Sequence, residues 1–170
     1  MAARTRANGD RNPRRRTNEH TSKDQHSNWF SPRGSYVRYT AKTHTSGGRR
    51  GGVSSSDDAR LDVKFSAPGV PGTGTNPEQL FAAGWSACFI SAMGVVARRM
   101  KVTLPTDVAV DAEIDLCNSG DVYFLRARLN VSVPGLEHEV AQAIVDATHG
   151  ETCAYSNATR GNVEVTVNVV

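Results

Sequence analysis

The segment from Asn76 to Lys101 constrains the fold of this chain more than any other part of the sequence. Asn76 is a suitable N-cap, Pro77 suits the first helical position, and Gln79 stands where a capping box has Glu or Gln. The middle of the segment is rich in Ala, Gly and Ser, so another backbone can approach it closely. We therefore predict a long central helix that is covered on both sides. Its predicted buried face consists of Leu80, Gly84, Ala87, Cys88, Ser91 and Val95.

Alternating apolar residues predict strands before and after this helix. A turn at 118–121 joins two long alternating runs into a hairpin. The predicted strands lie near 36–39 and over 61–66, 108–116, 123–133 and 163–169, and a second helix runs from 134 to 150. The order is strands, helix, hairpin, helix and strand, without βαβ repetition. It predicts the α+β class, with antiparallel sheets around the central helix.

Basic residues are concentrated at the start of the chain. Residues 1–34 hold eight Arg and Lys against three Asp and Glu, and they are nearly free of aliphatic side chains. Such a segment cannot bury enough apolar surface to become ordered, so we predict a disordered basic tail over 1–34 and a single domain over 35–170. Three consecutive arginines in this tail could contact nucleic acid, but a solvated tail is the better interpretation. We expect no nucleic-acid partner.

The composition favours an intracellular protein. No stretch approaches the roughly 18 apolar residues that a membrane span requires. Three cysteines among 170 residues do not make a disulfide framework, and no apolar run follows the basic N-terminal residues as it would in a secretory signal. We therefore expect a cytoplasmic protein that does not contact a membrane.

The cysteines are the residues most able to carry chemistry. Cys88 lies in the middle of the predicted central helix, where a free thiol is often only a small apolar side chain. Cys153 follows the predicted second helix in a short polar connection, where packing explains it less well. Cys117 ends a predicted strand, and we interpret it as structural.

Two other kinds of site receive little support from the sequence. A metal site of Cys88, Cys153 and His149 lacks any CxxC or HxxxH spacing, so we expect no bound metal. A hydrolase would need a nucleophile elbow. The segment Gly84-Trp85-Ser86-Ala87-Cys88 lacks its closing glycine and falls within a helix.

Two long segments resemble the signature sequences of the organic hydroperoxide resistance (Ohr) proteins, a branch of the OsmC/Ohr family. They are 76–89, NPEQLFAAGWSACF, and 153–162, CAYSNATRGN, and the resemblance extends from about Tyr36 to Val170. Gly47-Gly48-Arg49 resembles the arginine loop of the family. The resemblance implies an OsmC-like fold, an intertwined homodimer and a thiol peroxidase that reduces organic hydroperoxides to alcohols in oxidative-stress defence.

The resemblance also implies a role for each site residue. Cys88 would be the peroxidatic cysteine, which becomes a sulfenic acid, and Cys153 the resolving cysteine, which then forms a disulfide with it. Arg49 would stabilise the Cys88 thiolate, and Glu78 would orient Arg49. No cofactor is implied, because a lipoylated protein or another dithiol re-reduces the disulfide. From their residue type, Phe81, Trp85, Phe89 and Tyr155 could supply apolar walls of a substrate pocket, and the alternative for each is a place in the core.

The chain departs from the family pattern at two positions beside these residues. Ala154 stands where the family usually has proline, which leaves the Cys153 segment freer. Arg50 stands where the family usually has an acidic residue, so a second arginine adjoins Arg49. We still assign the role to Arg49, because it directly follows the paired glycines.

Helix geometry separates two of the implied residues. Glu78 and Cys88 are ten positions apart, which is about 15 Å along a straight helix. Either the helix breaks, or Glu78 and Arg49 serve the Cys88 of another subunit, and we predict a dimer partly on this ground. Two other functions stay open at this point: a non-enzymatic thiol redox sensor, and an OsmC-like peroxidase with a broader preference for peroxides.

Overall fold

The computed structural model describes Met1 and residues 34–170. The predicted tail therefore lies almost wholly outside the described residues. The chain divides into two compact units, Met1–Thr40 and Ala41–Val170. In the first unit, residues 35–40 have no regular secondary structure, so the strand predicted near Tyr36 is wrong. The first strand begins at Thr43, where backbone pairing with the next strand starts.

A small antiparallel sheet opens the second unit. Its strands follow in chain order as β1 Thr43–Ser46, β2 Val53–Ser56 and β3 Asp62–Lys64. The turn between β1 and β2 is rich in glycine because its backbone needs positive φ at Gly47, Gly48 and Gly51. A Cβ atom at Gly52 would overlap the carbonyl oxygens of Ser46 and Gly48. These constraints fix a tight turn with Arg49 in its middle.

Helix α1, Pro77–Arg99, begins where the sequence predicted. The side chain of Asn76 accepts a hydrogen bond of 2.8 Å from the backbone N–H of Gln79, as an N-cap should. Gln79 does not complete a capping box. Its side-chain oxygen instead accepts a hydrogen bond of 2.8 Å from the hydroxyl of Thr75.

The N-cap gives a direct stability prediction. Asn76→Ala should lower the free energy of unfolding by about 1 kcal/mol, because the Gln79 N–H loses its acceptor. Asn76→Asp keeps an acceptor and should cost much less. Urea unfolding followed by circular dichroism at one fixed protein concentration measures both. Equal stability of Asn76→Ala and the unchanged chain would contradict the capping role.

The buried face that we predicted for α1 is wrong, because the observed buried face is rotated from it by part of a turn. Its buried residues are Trp85, Phe89, Ala92, Met93, Val96 and Ala97. Ala87 and Ser91, which we assigned to the buried face, are exposed in the single chain. Large apolar side chains occupy the core-facing stripe, and the stripe of small residues lies beside it.

A second sheet covers α1 and supplies much of the core. Its strands are ordered β4 Ala109–Ser119, β5 Val122–Ser132 and β6 Glu164–Val169. The predicted hairpin between β4 and β5 is confirmed, and Gly120 has φ +58° in its turn. However, β6 runs parallel to β5, so the prediction of purely antiparallel sheets is wrong. A long helical crossover carries the chain back to the end of the sheet at which β5 begins, so β6 runs in the same direction as β5.

The crossover consists of three helical pieces. They are α2 His138–Ala147, a π-helical turn Thr148–Thr152, and α3 Ala154–Thr159. Gly150, which we expected to end a helix, lies inside the π turn. Cys153 lies at the N-cap of α3 rather than in an open connection. The core residues with no exposed surface include Trp85, Phe89, Met93, Leu129, Val131, Ile144, Val145 and Cys153.

Helix α1 is long and apolar enough to cross a membrane, judged by length and composition alone. By that criterion, our expectation that no segment approaches the length of a span is wrong. The central core helix of a domain satisfies the same criterion, and six residues of α1 are buried in this structure. The described contacts of α1 with β4, α2, the π turn and α3 are those of a core helix.

Candidate active site

The structure brings the two cysteines singled out from the sequence into contact. The Cys153 thiol donates a hydrogen bond to the sulfur of Cys88, with the two Sγ atoms 3.7 Å apart. Cys88 lies in the middle of α1, and Cys153 lies at the start of α3, which packs on α1. Both are free thiols, so the pair is present in its reduced form.

The two thiols differ in their surroundings. Cys153 has no exposed surface, whereas Cys88 is only partly buried. Burial raises the pKa of the Cys153 thiol, and hydrogen bonds from the backbone and side chain of Ser156 act in the opposite direction. Cys153 is therefore a neutral thiol at pH 7. A solute can reach Cys88 but not Cys153.

A buried polar network lies behind Cys153, and the sequence did not reveal it. Trp85 Nε1 donates a hydrogen bond of 3.2 Å to the hydroxyl oxygen of Ser156. The same oxygen lies 3.1 Å from Nδ1 of His149, a residue that the sequence had offered only as a candidate metal ligand. The available signal was the spacing of Cys153 and Ser156, which lie one turn apart once α3 is recognised.

Arg160 stabilises the π turn that carries His149. Its guanidinium donates hydrogen bonds to the carbonyl oxygens of His149 and Gly150, at 2.8 and 2.6 Å. These carbonyls lie in the irregular turn after α2 and would otherwise need water. Burial and the charge of Arg160 lower the pKa of His149, while Asp146 acts to raise it. The His149 imidazole is therefore neutral at pH 7.

The aromatic residues divide into core and surface. Phe81 packs edge-on against Trp85, with ring centroids 5.5 Å apart, and lies 5.8 Å from the ring of Tyr155. Gly84 makes room for Tyr155, because a Cβ atom there would lie 2.7 Å from the phenol oxygen. Trp85 and Phe89 have no exposed surface, so the pocket-wall role predicted for these two is not supported. Phe81 and Tyr155 retain exposed surface.

Arg49 and Glu78 form a two-pronged ion pair. Nη2 of Arg49 lies 2.9 Å from Oε1 of Glu78, and Nη1 lies 3.2 Å from Oε2. The Glu78 side chain is largely buried in the first turn of α1, where the helix dipole favours a carboxylate. Its hydrogen bond raises the pKa of Arg49, so the guanidinium stays charged. The arrangement fixes the plane of the guanidinium.

Glu78 of the ion pair and Cys88 of the thiol pair lie in different stretches of α1. The helix is continuous from Pro77 to Arg99, so the alternative in which it breaks between Glu78 and Cys88 is wrong. Within the described residues, Cys88 has Cys153 as its hydrogen-bond partner and no contact with Arg49. One chain therefore holds both halves of the expected site about 15 Å apart along the axis.

Two clefts flank the ion pair. One, of about 540 Å³, is lined by Glu78, Ala82 and residues of β4. The other, of about 550 Å³, is lined by Arg49 and Tyr123. Pro68 and Leu116 line both clefts, so the two form neighbouring parts of one open surface around the charged pair.

Two free thiols in contact on packed helices, one partly exposed and one buried, are typical of a cysteine-based redox protein. Comparison with known proteins agrees with this class. Residues 70–168 match the family described as OsmC-like protein. An organic hydroperoxide resistance protein of Xanthomonas axonopodis pv. citri is 45% identical over 137 residues, which cover 78% of this chain and 95% of that protein.

Two proteins of Bacillus subtilis give the same result. The organic hydroperoxide resistance protein OhrA is 40% identical over 77% of this chain and 95% of its own length. The crystal structure of OhrB superposes with a TM-score of 0.71 at 37% identity, covering 79% of this chain and all of that one. The chain therefore belongs to the OsmC-like family, within its organic hydroperoxide resistance branch.

Proposed function

We propose that this chain is a cysteine-based peroxidase that reduces organic hydroperoxides to alcohols in oxidative-stress defence. The observation that carries the proposal is the 3.7 Å contact between an accessible Cys88 sulfur and a buried Cys153 sulfur. The substrate class comes from the relatives, which are organic hydroperoxide resistance proteins.

Cys88 is assigned the attack on the peroxide because it is the accessible thiol. Its thiolate attacks the outer oxygen of the hydroperoxide, the O–O bond breaks, and the alkoxide takes a proton and leaves as the alcohol. Cys88 is thereby oxidised to a sulfenic acid. Before the attack, the Cys153 thiol donates a hydrogen bond to the Cys88 sulfur and holds the two sulfurs side by side.

Cys153 is assigned the resolving step. Its sulfur attacks the sulfur of the Cys88 sulfenic acid, the S–O bond breaks, and water leaves as the disulfide forms. A disulfide requires an S–S distance of about 2.0 Å, so the two sulfurs need to approach by less than 2 Å from their present 3.7 Å. Because Cys153 sits at the start of a six-residue helix, a small shift of that helix suffices.

The ion pair is assigned to a site shared between two subunits. Arg49, held by Glu78, supplies the cation that a catalytic thiolate needs, but the continuous α1 keeps it away from Cys88 of its own chain. A homodimer in which Arg49 of one subunit adjoins Cys88 of the other satisfies both constraints. The exposed small residues Ala87 and Ser91 beside Cys88 leave room for a second chain to approach.

The cycle closes by thiol–disulfide exchange with a dithiol. A lipoylated protein or another dithiol attacks the Cys88–Cys153 disulfide and leaves with its own disulfide. A compartment that keeps thiols reduced suits this step, so the cytoplasm is the proposed location. Phe81, two turns before Cys88 on α1, and Tyr155, two positions after Cys153, provide partly exposed apolar surface that favours alkyl and aryl hydroperoxides over hydrogen peroxide.

Steady-state turnover tests the proposed function against its alternatives. With dihydrolipoamide as the reductant, we expect continuous consumption of cumene hydroperoxide at least about 10-fold faster than that of hydrogen peroxide, because only the former buries an apolar group. Oxidation of one equivalent without further turnover would instead indicate a redox sensor. Equal rates on both peroxides would indicate a peroxidase with a broader preference.

A further inference from the structure

The resolving step needs an acceptor for the Cys153 proton, and the thiol pair alone does not provide one. Cys153 has to lose its proton to attack the sulfenic acid, yet it is completely buried and away from solvent. In the reduced protein its proton points at the Cys88 sulfur. Once Cys88 carries the hydroxyl of a sulfenic acid, its sulfur cannot take up that proton. A different acceptor is needed.

The polar network behind Cys153 offers such an acceptor. Ser156 is buried, its hydroxyl and backbone amide both interact with the Cys153 sulfur, and its oxygen lies 3.1 Å from Nδ1 of His149. Trp85 Nε1 donates to the same hydroxyl oxygen and so fixes its position. The single hydroxyl proton of Ser156 therefore has two acceptors within reach, the sulfur of Cys153 and the imidazole nitrogen of His149.

We propose that Ser156 and His149 form a proton relay that deprotonates Cys153 during disulfide formation, an inference that rests on the peroxidase function above. Cys153 gives its proton to the Ser156 oxygen while Ser156 gives its own to Nδ1 of His149. The Cys153 thiolate then attacks the Cys88 sulfur and expels hydroxide. The hydroxide takes a proton from solvent and leaves as water, and the half-buried His149 imidazolium returns its proton to solvent. One S–S bond forms, one S–O bond breaks, and no other oxidant or reductant takes part.

The surroundings of His149 suit this role. The ring is half-buried, and the carbonyls of His149 and Gly150 are held by Arg160 from the end of α3. Arg160 and burial favour the neutral ring, which accepts a proton at Nδ1, and Asp146 on α2 offsets part of that effect. Cys88 contacts Cys153 from α1. His149 thus acts as a positioning and proton-accepting residue through Ser156, without touching the substrate.

The variant His149→Asn separates proton transfer from position. Asparagine keeps a polar atom near the place of Nδ1 but cannot accept a proton near neutral pH. We expect conversion of the Cys88 sulfenic acid to disulfide to slow by about 10- to 100-fold, because the intrinsic base is lost. The reaction of Cys88 with cumene hydroperoxide should stay within about twofold of the unchanged protein, because that step needs no deprotonated Cys153. His138→Asn, at an exposed histidine on α2, is the matched control.

The measurement is rapid mixing of the reduced dimer with one equivalent of cumene hydroperoxide, quenched with an alkylating reagent and dimedone. Mass spectrometry then counts free thiol, sulfenic acid and disulfide at Cys88. In the unchanged protein, the rate of disulfide formation should fall as the pH drops through the pKa of His149, and this inflection should be absent in His149→Asn. Cys153→Ser, which cannot resolve, marks the slow limit.

Ser156→Ala provides a second, independent variant. It should slow resolution as His149→Asn does, and the double variant should be no slower than either, because both belong to one relay. Resolution at the normal rate and with the normal pH profile in His149→Asn would overturn the relay. So would multiplicative effects in the double variant, or an equal slowing of the peroxide step. If the unchanged protein formed no sulfenic acid at Cys88, the peroxidase function itself would fail instead.

Discussion

Replacing Cys88 by Ser should lower the steady-state consumption of cumene hydroperoxide by at least about 10³-fold, because the only accessible nucleophile of the thiol pair is lost. A serine hydroxyl occupies the same place on α1 but is not ionised near pH 7. The fold should persist, since the exchange of S for O in a half-buried side chain changes little volume. Coupled assay with a dithiol and direct determination of residual peroxide both measure this effect.

Two further cysteine variants separate the attack on the hydroperoxide from the resolving step and from the unrelated Cys117. Cys153→Ser should reduce one equivalent of hydroperoxide per subunit in the absence of a reductant and then stop, with the sulfenic acid retained on Cys88. Cys117→Ser should turn over normally, because Cys117 lies in β4 opposite Phe124 and outside the thiol pair. Undiminished turnover by Cys88→Ser would contradict the assignment of the nucleophile.

Replacing Arg49 by Ala should lower kcat/KM for the hydroperoxide by about 10²-fold, the usual cost of removing a preorganised charged donor beside a reacting group. The remaining Glu78 carboxylate makes the loss larger, because it would be left largely buried without its partner. Arg50→Ala is the matched control at the neighbouring exposed position, and we expect less than about a threefold change there. The reverse ranking would show that Arg50 carries the function.

A mixing experiment tests whether the site is shared between subunits. Cys88→Ser and Arg49→Ala protein, each almost inactive, are unfolded together and refolded as mixed dimers. In a shared site, the mixed dimer pairs the intact Arg49 of one subunit with the intact Cys88 of the other, so about a quarter of the normal activity should return. If each chain used its own Arg49 and Cys88, no activity would return.

The sequence predicted the long elements well because their signals are local. The capped start of α1 and the alternation of β4 and β5 depend on neighbouring residues only, and both appear in the structure. The direction of β6 was missed because it depends on where the crossover returns the chain, which no local pattern records. The buried face of α1 was misassigned because small residues gave a periodic stripe next to the stripe of large apolar ones.

The candidate site was also predicted in part, since motifs identified some of its residues and others depend on tertiary structure. Cys88, Cys153, Arg49 and Glu78 were named from motif resemblance, and the structure joins them as two pairs. Ser156 and His149 were missed because their contact depends on the π turn, which sequence patterns do not reveal. Trp85 and Phe89 could have been pocket walls or core by residue type alone, and helix geometry turns both into the core.

Peptide mapping of the protein after one equivalent of cumene hydroperoxide, without added reductant, tests the central claim most directly. We expect the alcohol and a disulfide between Cys88 and Cys153 to appear in equal amounts, with Cys117 still a free thiol. Consumption of the hydroperoxide while Cys88 and Cys153 both remain free thiols would contradict the claim.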